Sequence, residues 1–224
     1  MTELVYIGEE VLPALLRGLW ISLILILPSS VLGFAAGVLV GALRVYGAAG
    51  FRWLANAYVL IFRGFPLIIQ LYIWYFGLPR IGIYMSPYGA SVMGFVLCSA
   101  AYHSEYIRGA LLSIRHGQML AAQSIGLNRL QTVLYVIMPQ AFRRALPGCG
   151  NEIIYLIKYS SLAYMVTCIE LTGEGKILAS ASFKYIEVFM IIGAIYLGMV
   201  SIATWLLSML ENHLTIPGFE RYRT

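Results

Sequence analysis

Residues 18–43 read GLWISLILILPSSVLGFAAGVLVGAL, 26 positions without one charged side chain. The hydrocarbon core of a bilayer is crossed by about 20 apolar helical residues. This run therefore predicts a membrane-spanning helix, and with it the class of the whole chain. The composition of all 224 residues agrees: 60% are hydrophobic and only 11% charged, with a mean hydropathy of +0.81. An ordinary globular domain is about half apolar and about a quarter charged. So few charges do not cover the surface of a soluble protein of this size. A soluble enzyme and a disordered chain are thereby disfavoured. Nucleic acid is disfavoured as a partner too, because the net charge of +5 comes from dispersed residues at the ends of apolar runs.

Working outward, four further runs read as spans. Residues 54–77 contain Arg63, and residues 88–107 contain His103 and Glu105 near their end. Residues 148–169 contain Glu152 and Lys158, and residues 187–210 are uncharged after Glu187. The predicted fold is all-α and integral to the membrane, one domain over residues 1–224 with five transmembrane helices. An odd number of spans puts the termini on opposite sides. Arg44, Arg52, Arg108, Arg115, Arg129, Arg143, Arg144, Arg221 and Arg223 fall on one side. Arg17, Arg80, Lys176 and Lys184 fall on the other. The richer side is expected to be cytoplasmic, which puts the N-terminus outside and the C-terminus inside. Glu3, Glu9 and Glu10 precede the first basic residue, Arg17, so the N-terminal segment does not read as a secretory signal.

Within the first run, Gly33, Gly37 and Gly41 recur every four residues, on one helical face. That spacing reads either as a packing seam or as ordinary intramembrane glycine enrichment. Cys98, Cys149 and Cys168 lie in apolar runs without metal-ligand spacing and read as packed small hydrophobes. No metal site and no catalytic cluster is predicted.

Residues 115–144 are too polar to span. Gln118–Ile125 has helix-forming composition, and Gly126 suits a left-handed C-terminal cap. Asn128 with Gln131 three positions on forms a capping-box pattern. Leu130, Val133, Leu134 and Ile137 follow at helical spacing, and Pro139 is expected to end or bend that second helix. The short helix and glycine turn suit docking in a groove, since Gly126 lets the backbone approach closely; without further information a helix lying on the membrane surface is the favoured reading.

The ordered motifs around this loop carry a resemblance. Ala101–Tyr102–His103–Ser104–Glu105–Tyr106–Ile107–Arg108–Gly109 leads into Gly117–Gln118, Ala121–Ala122, Gly126, Gln131, Pro139–Gln140–Ala141, Arg143, Pro147 and Asn151–Glu152. Arg63–Gly64–Phe65–Pro66–Leu67 is followed by Gln70 and Tyr75–Phe76–Gly77–Leu78–Pro79. Together they resemble ABC importer permeases of the polar amino acid uptake family, which includes histidine, glutamine and arginine permeases. The resemblance covers about residues 15–212. Two positions depart: Leu120 stands where the family usually has Glu, and Tyr159 where it commonly has Asp.

The resemblance implies a type I importer fold and a non-catalytic subunit of a multi-pass complex in a bacterial or archaeal cytoplasmic (inner) membrane. The implied partners are a second permease chain, homo- or heterodimeric, cytoplasmic ATP-binding subunits, an external substrate-binding protein and an amino acid substrate. ATP and magnesium would sit on the ATPase partner and no cofactor on this chain. Gly173–Glu174–Gly175–Lys176 lacks the spacing of a phosphate-binding loop. Gln118, Ala121, Ala122, Gly126, Leu127 and Gln131 would form the coupling element.

Intramembrane charges are costly and mark function. Lys158 is the candidate for a substrate carboxylate and Glu152 for an amino group, with Asn151, Tyr159, Ser160 and Ser161 along the same path. Each has a plainer reading: ion pairing, snorkelling or, for the serines, back-bonding to their own helix. Arg63 and Pro66 mark a kink with a structural or gating role, and Glu105 and Arg108, three apart, are placed to pair. A stand-alone channel or secondary carrier would also explain the charges but not the Gly126 loop. A membrane enzyme has no supporting cluster.

Overall fold

The structure, a computed structural model, describes residues 7–214. Glu3, Arg221 and Arg223, which enter the charge count above, lie outside the described residues. A π turn at Ile7–Val11 leads into α1 (Leu12–Tyr46), followed by α2 (Ala49–Gly64) and α3 (Leu67–Tyr72). A π turn and a 3₁₀ turn carry α3 on to Ile81. Then come α4 (Pro87–Ser113), α5 (His116–Ser124), α6 (Arg129–Thr132), α7 (Met138–Tyr159), α8 (Leu171–Ser182) and α9 (Tyr185–His213). No strand occurs among the described residues.

All five apolar runs fall on helices, but two are not simple ones. α1 with its leading turn, and α9, are each long and apolar enough to cross a bilayer. The run 54–77 is broken: α2 and the α3 segment meet at 103°. Phe65 is extended (φ −90°, ψ 135°) because the ring of Pro66 excludes the helical region for the residue before it. The Gln70 amide then donates to the carbonyls of Phe62 (2.9 Å) and Phe65 (3.0 Å). Those are carbonyls that the end of α2 leaves orphaned.

Pro139, expected to end or bend the second helix, does not end it. Residues 133–137 form a π turn, and Pro139 lies in the first turn of α7, which runs on to Tyr159. The wide turn absorbs the missing N–H and the ring. The run 148–169 therefore starts midway along a helix and finishes as a 3₁₀ turn, Ser160–Val166. There the Ser160 and Ser161 hydroxyls donate to the carbonyls of Ile157 and Lys158, both at 2.7 Å. Such back-bonding competes with the α-helical ladder. The segment from α6 and α8 meet at 55°.

The glycine seam is a packing seam. A Cβ at Gly33 would lie 3.0 Å from Ser99 Oγ, and one at Gly41 would lie 2.9 Å from Ile107 Cγ2. One at Gly37 would collide with the His103 Cβ. Each glycine thus meets a residue of α4, and α1 and α4 share the most extensive helix contact. Small residues let two backbones approach where no water drives helices together. Apolar clusters sit along this pair, centred on Leu25, Leu71 and Phe95, on Ile107, Leu111 and Ala141, and on Leu15, Leu171 and Ile192. All three cysteines are buried and free. α9 turns Phe189, Met190, Leu197, Trp205 and Leu206 outward.

Candidate functional site

The break between α2 and α3 opens a cavity of about 430 Å³ against α4 and the end of α7. Arg63, Pro66, Cys98, Tyr102 and Tyr159 line it. Arg63 ends α2, where the helix stops short of Pro66, and its guanidinium lies 5.1 Å from the centre of the Tyr102 ring. An Arg over an aromatic face is held there by the ring quadrupole. Tyr159 enters from the last turn of α7.

Arg63 also belongs to a hub. Its Nη1 lies 3.0 Å from Glu105 Oε1, the same oxygen that takes Arg44 Nη2 at 3.0 Å. Arg108 donates to Glu105 Oε2 through Nε (3.1 Å) and Nη2 (2.9 Å), so the expected Glu105–Arg108 pair is present. Arg44 donates further to Asn56 Oδ1 (2.7 Å) and Ser104 Oγ (3.3 Å). One carboxylate on α4 therefore ties together α1, α2 and its own helix. Arg44 and its role are invisible in the sequence, because 61 residues separate it from Glu105. Tyr102 is missed for the same reason, since it lies 39 positions from Arg63.

The expected path residues divide. Glu152 is buried. Lys158 points away from the core and is exposed, with Nζ 4.2 Å above the Tyr155 ring. Tyr155 in turn stacks on Tyr159 with centroids 5.9 Å apart. Asn151 is exposed on the same side of α7, one turn from Tyr155. A ladder of Lys158, Tyr155 and Tyr159 thus links an outer helix face to the cavity. Ser160 is buried, and both serine hydroxyls donate to carbonyls of their own helix.

The loop after α4 stands at the same end as the hub. α5 closes with a Schellman motif: Leu127 N–H bonds Ala122 O (3.2 Å) and Gly126 N–H bonds Gln123 O (3.0 Å). Gly126 has φ +91°, the left-handed conformation anticipated for it. Asn128 and Gln131 complete the capping box in both directions, at 2.9 and 3.0 Å. Met119 and Ala122 anchor α5 inward. Gln118, Ala121, Gly126 and Gln131 are exposed.

The profile described as "binding-protein-dependent transport system inner membrane component" matches residues 33–216. The chain belongs to that family. This inner membrane component is 38% identical over 203 residues to the "probable amino-acid ABC transporter permease protein YckA" of Bacillus subtilis, covering 91% of this chain and 90% of that one. It is 34% identical over 215 residues to the glutamine transport system permease protein GlnP of Escherichia coli, covering 92% and 94%. Among solved structures, it matches the crystal structure of an amino acid ABC transporter with histidines. That match has a TM-score of 0.83 and 31% identity, and covers 90% of this chain and 94% of that one. In this inner membrane component the family match over residues 33–216 includes the broken α2–α3 element, the hub and the loop alike.

Proposed function

We propose that this inner membrane component is the permease subunit of an ATP-driven importer of polar amino acids. The observation that carries the reading is the likeness, over nine-tenths of the chain, to an amino acid ABC transporter. The proposal includes five spans, the N-terminus outside and the C-terminus inside. It places the complex in a bacterial or archaeal cytoplasmic membrane, with a second permease chain, cytoplasmic ATP-binding subunits and an external substrate-binding protein. ATP and magnesium belong to the ATP-binding subunits, which perform the hydrolysis, and this chain needs no cofactor of its own. The loop at 115–144 passes the motion of the ATPase to the spans.

The test is purification from the native membrane. An ATP-binding subunit is expected to accompany the chain, and an amino acid with its binding protein is expected to stimulate hydrolysis. Single cysteines beside Gly126 are expected to label only from the cytoplasmic side of sealed vesicles. A chain that purifies alone and still moves solute in vesicles without ATP overturns the proposal in favour of a channel or carrier.

For the substrate path, Lys158 remains the residue of choice within the membrane. An ammonium at the bilayer centre costs about 2.5–3.5 kcal/mol on insertion scales. The Tyr155 ring offsets part of this, and a carboxylate ligand reaching this outer face of α7 would offset more. Lys158→Met is expected to lower substrate-stimulated uptake about tenfold while basal ATP hydrolysis and assembly change little. Wild-type uptake and half-saturation in that variant would make Lys158 structural only.

A further inference from the structure

Between Glu105 and Glu152 the chain carries no acidic residue, but it carries Arg108, Arg115, Arg129, Arg143 and Arg144. Arg108 is engaged by Glu105, and Arg144 donates to Ser113 O (2.7 Å) and Ser113 Oγ (2.9 Å). Arg115 and Arg129, which flank α5 and its turn, are exposed. Between them stand Leu120, 53% exposed, and Ile125, 79% exposed, with Leu130 just beyond at 68%. Along the chain, exposed Arg115 and Arg129 thus bracket exposed apolar side chains, on a turn whose backbone is fixed by the Schellman motif and the capping box. The inward side of α5 is already used by Met119 and Ala122.

A surface of this kind fits a groove of the opposite sign. Resting on the reading that this loop docks an ATP-binding subunit, we infer that the receiving groove has an apolar floor and a carboxylate-lined rim. It is not a groove with a basic residue waiting for an acid from this chain. Leu120 sits on the floor, and Arg115 and Arg129 face the rim. Like charges brought together at an interface are costly, and complementary ones set which partner is accepted. The chain is thereby restricted to ATP-binding subunits of that electrostatic character. A membrane surface is the competing occupant. It is disfavoured because Gln118, Gln123 and Ser124 interrupt the exposed face of α5 with polar groups.

The probe is the ATP-binding subunit that accompanies the wild-type chain, and the readout is the amount retained per permease after washing. Leu120→Glu, Leu120→Lys and Ile125→Asn all change exposed side chains, so the bundle is expected to fold in each. In about 0.1 M salt, Leu120→Glu is expected to retain about tenfold less ATPase than Leu120→Lys. That difference is expected to close in about 1 M salt, where the screening length is about 3 Å. Retention by Leu120→Glu equal to or above that of Leu120→Lys overturns the acidic rim. If Ile125→Asn strips the ATPase while the two Leu120 variants match, the docking reading stands and the charge assignment falls. If none of the three changes retention, the loop is not the docking element and the face belongs to lipid.

Discussion

Glu105→Ala is expected to be the most destabilising single substitution at the hub, and to act on three helices at once. The carboxylate holds Arg44 and Arg63 on one oxygen and Arg108 on the other, all within about 3.1 Å. Removing one member of a buried ion pair costs about 3–5 kcal/mol, mostly because the partner is left charged and unpaired. Here the Arg44 side chain is only 9% exposed, whereas those of Arg63 and Arg108 are about 40% exposed and regain water. A loss of about 2–3 kcal/mol follows once that screening is allowed for. It is to be read as a lower melting temperature and a smaller monodisperse fraction on gel filtration in detergent. Arg108→Gln removes one exposed i,i+3 pair and is expected to cost only about 0.2–0.5 kcal/mol. Glu105→Gln keeps an acceptor without the charge and is expected to fall between them. A Glu105→Ala protein as stable as the wild type would show that the three helices are held by packing alone.

Gly126→Arg is expected to separate folding from transport. The backbone there is left-handed, which costs a residue with a Cβ about 1–2 kcal/mol. No heavy atom lies within 4 Å of the position a Cβ would take, so the free chain has room for the side chain. Insertion and assembly of the bundle should therefore survive. Against a docked partner the same side chain has nowhere to go, since a turn that carries glycine brings the backbone itself to the surface it meets. Uptake driven by ATP is expected to fall about tenfold or more, equivalent to at least about 1.4 kcal/mol of lost coupling. Gly126→Ala, with the strain but little of the bulk, should retain most of it. Normal uptake by a well-expressed Gly126→Arg protein would remove the loop from the coupling path.

Local signals in the sequence were reliable because they act over a few residues. The Gly126 cap, the Asn128–Gln131 box and the Glu105–Arg108 pair all depend on spacings of five or fewer, and each is present as read. Other local signals left the outcome to their surroundings. Pro139 is read to end or bend the second helix, and a π turn just before it lets the helix continue. The kink read at Arg63 and Pro66 is present, but its size, 103°, is not legible in the sequence. Ser160 and Ser161 read equally as lining or back-bonding groups, and their hydroxyls donate to the carbonyls of Ile157 and Lys158.

By itself, the sequence determined that this is a helical membrane protein with a capped turn in its longest polar loop. Apolar run length and short-range capping chemistry decide those features without reference to the rest of the chain. Only the tertiary structure decided what the charged residues meet. Arg44 and Glu105 are brought together because Gly33, Gly37 and Gly41 let α1 lie close along α4. Arg63 joins them because the break at Pro66 ends α2 at that level. Lys158 faces outward, on Tyr155, because the other side of α7 is taken up by Leu156 and Ile157 in the core. Contacts between residues 40 to 60 apart depend on how closely helices approach and where they bend, and no spacing rule within one helix contains that information.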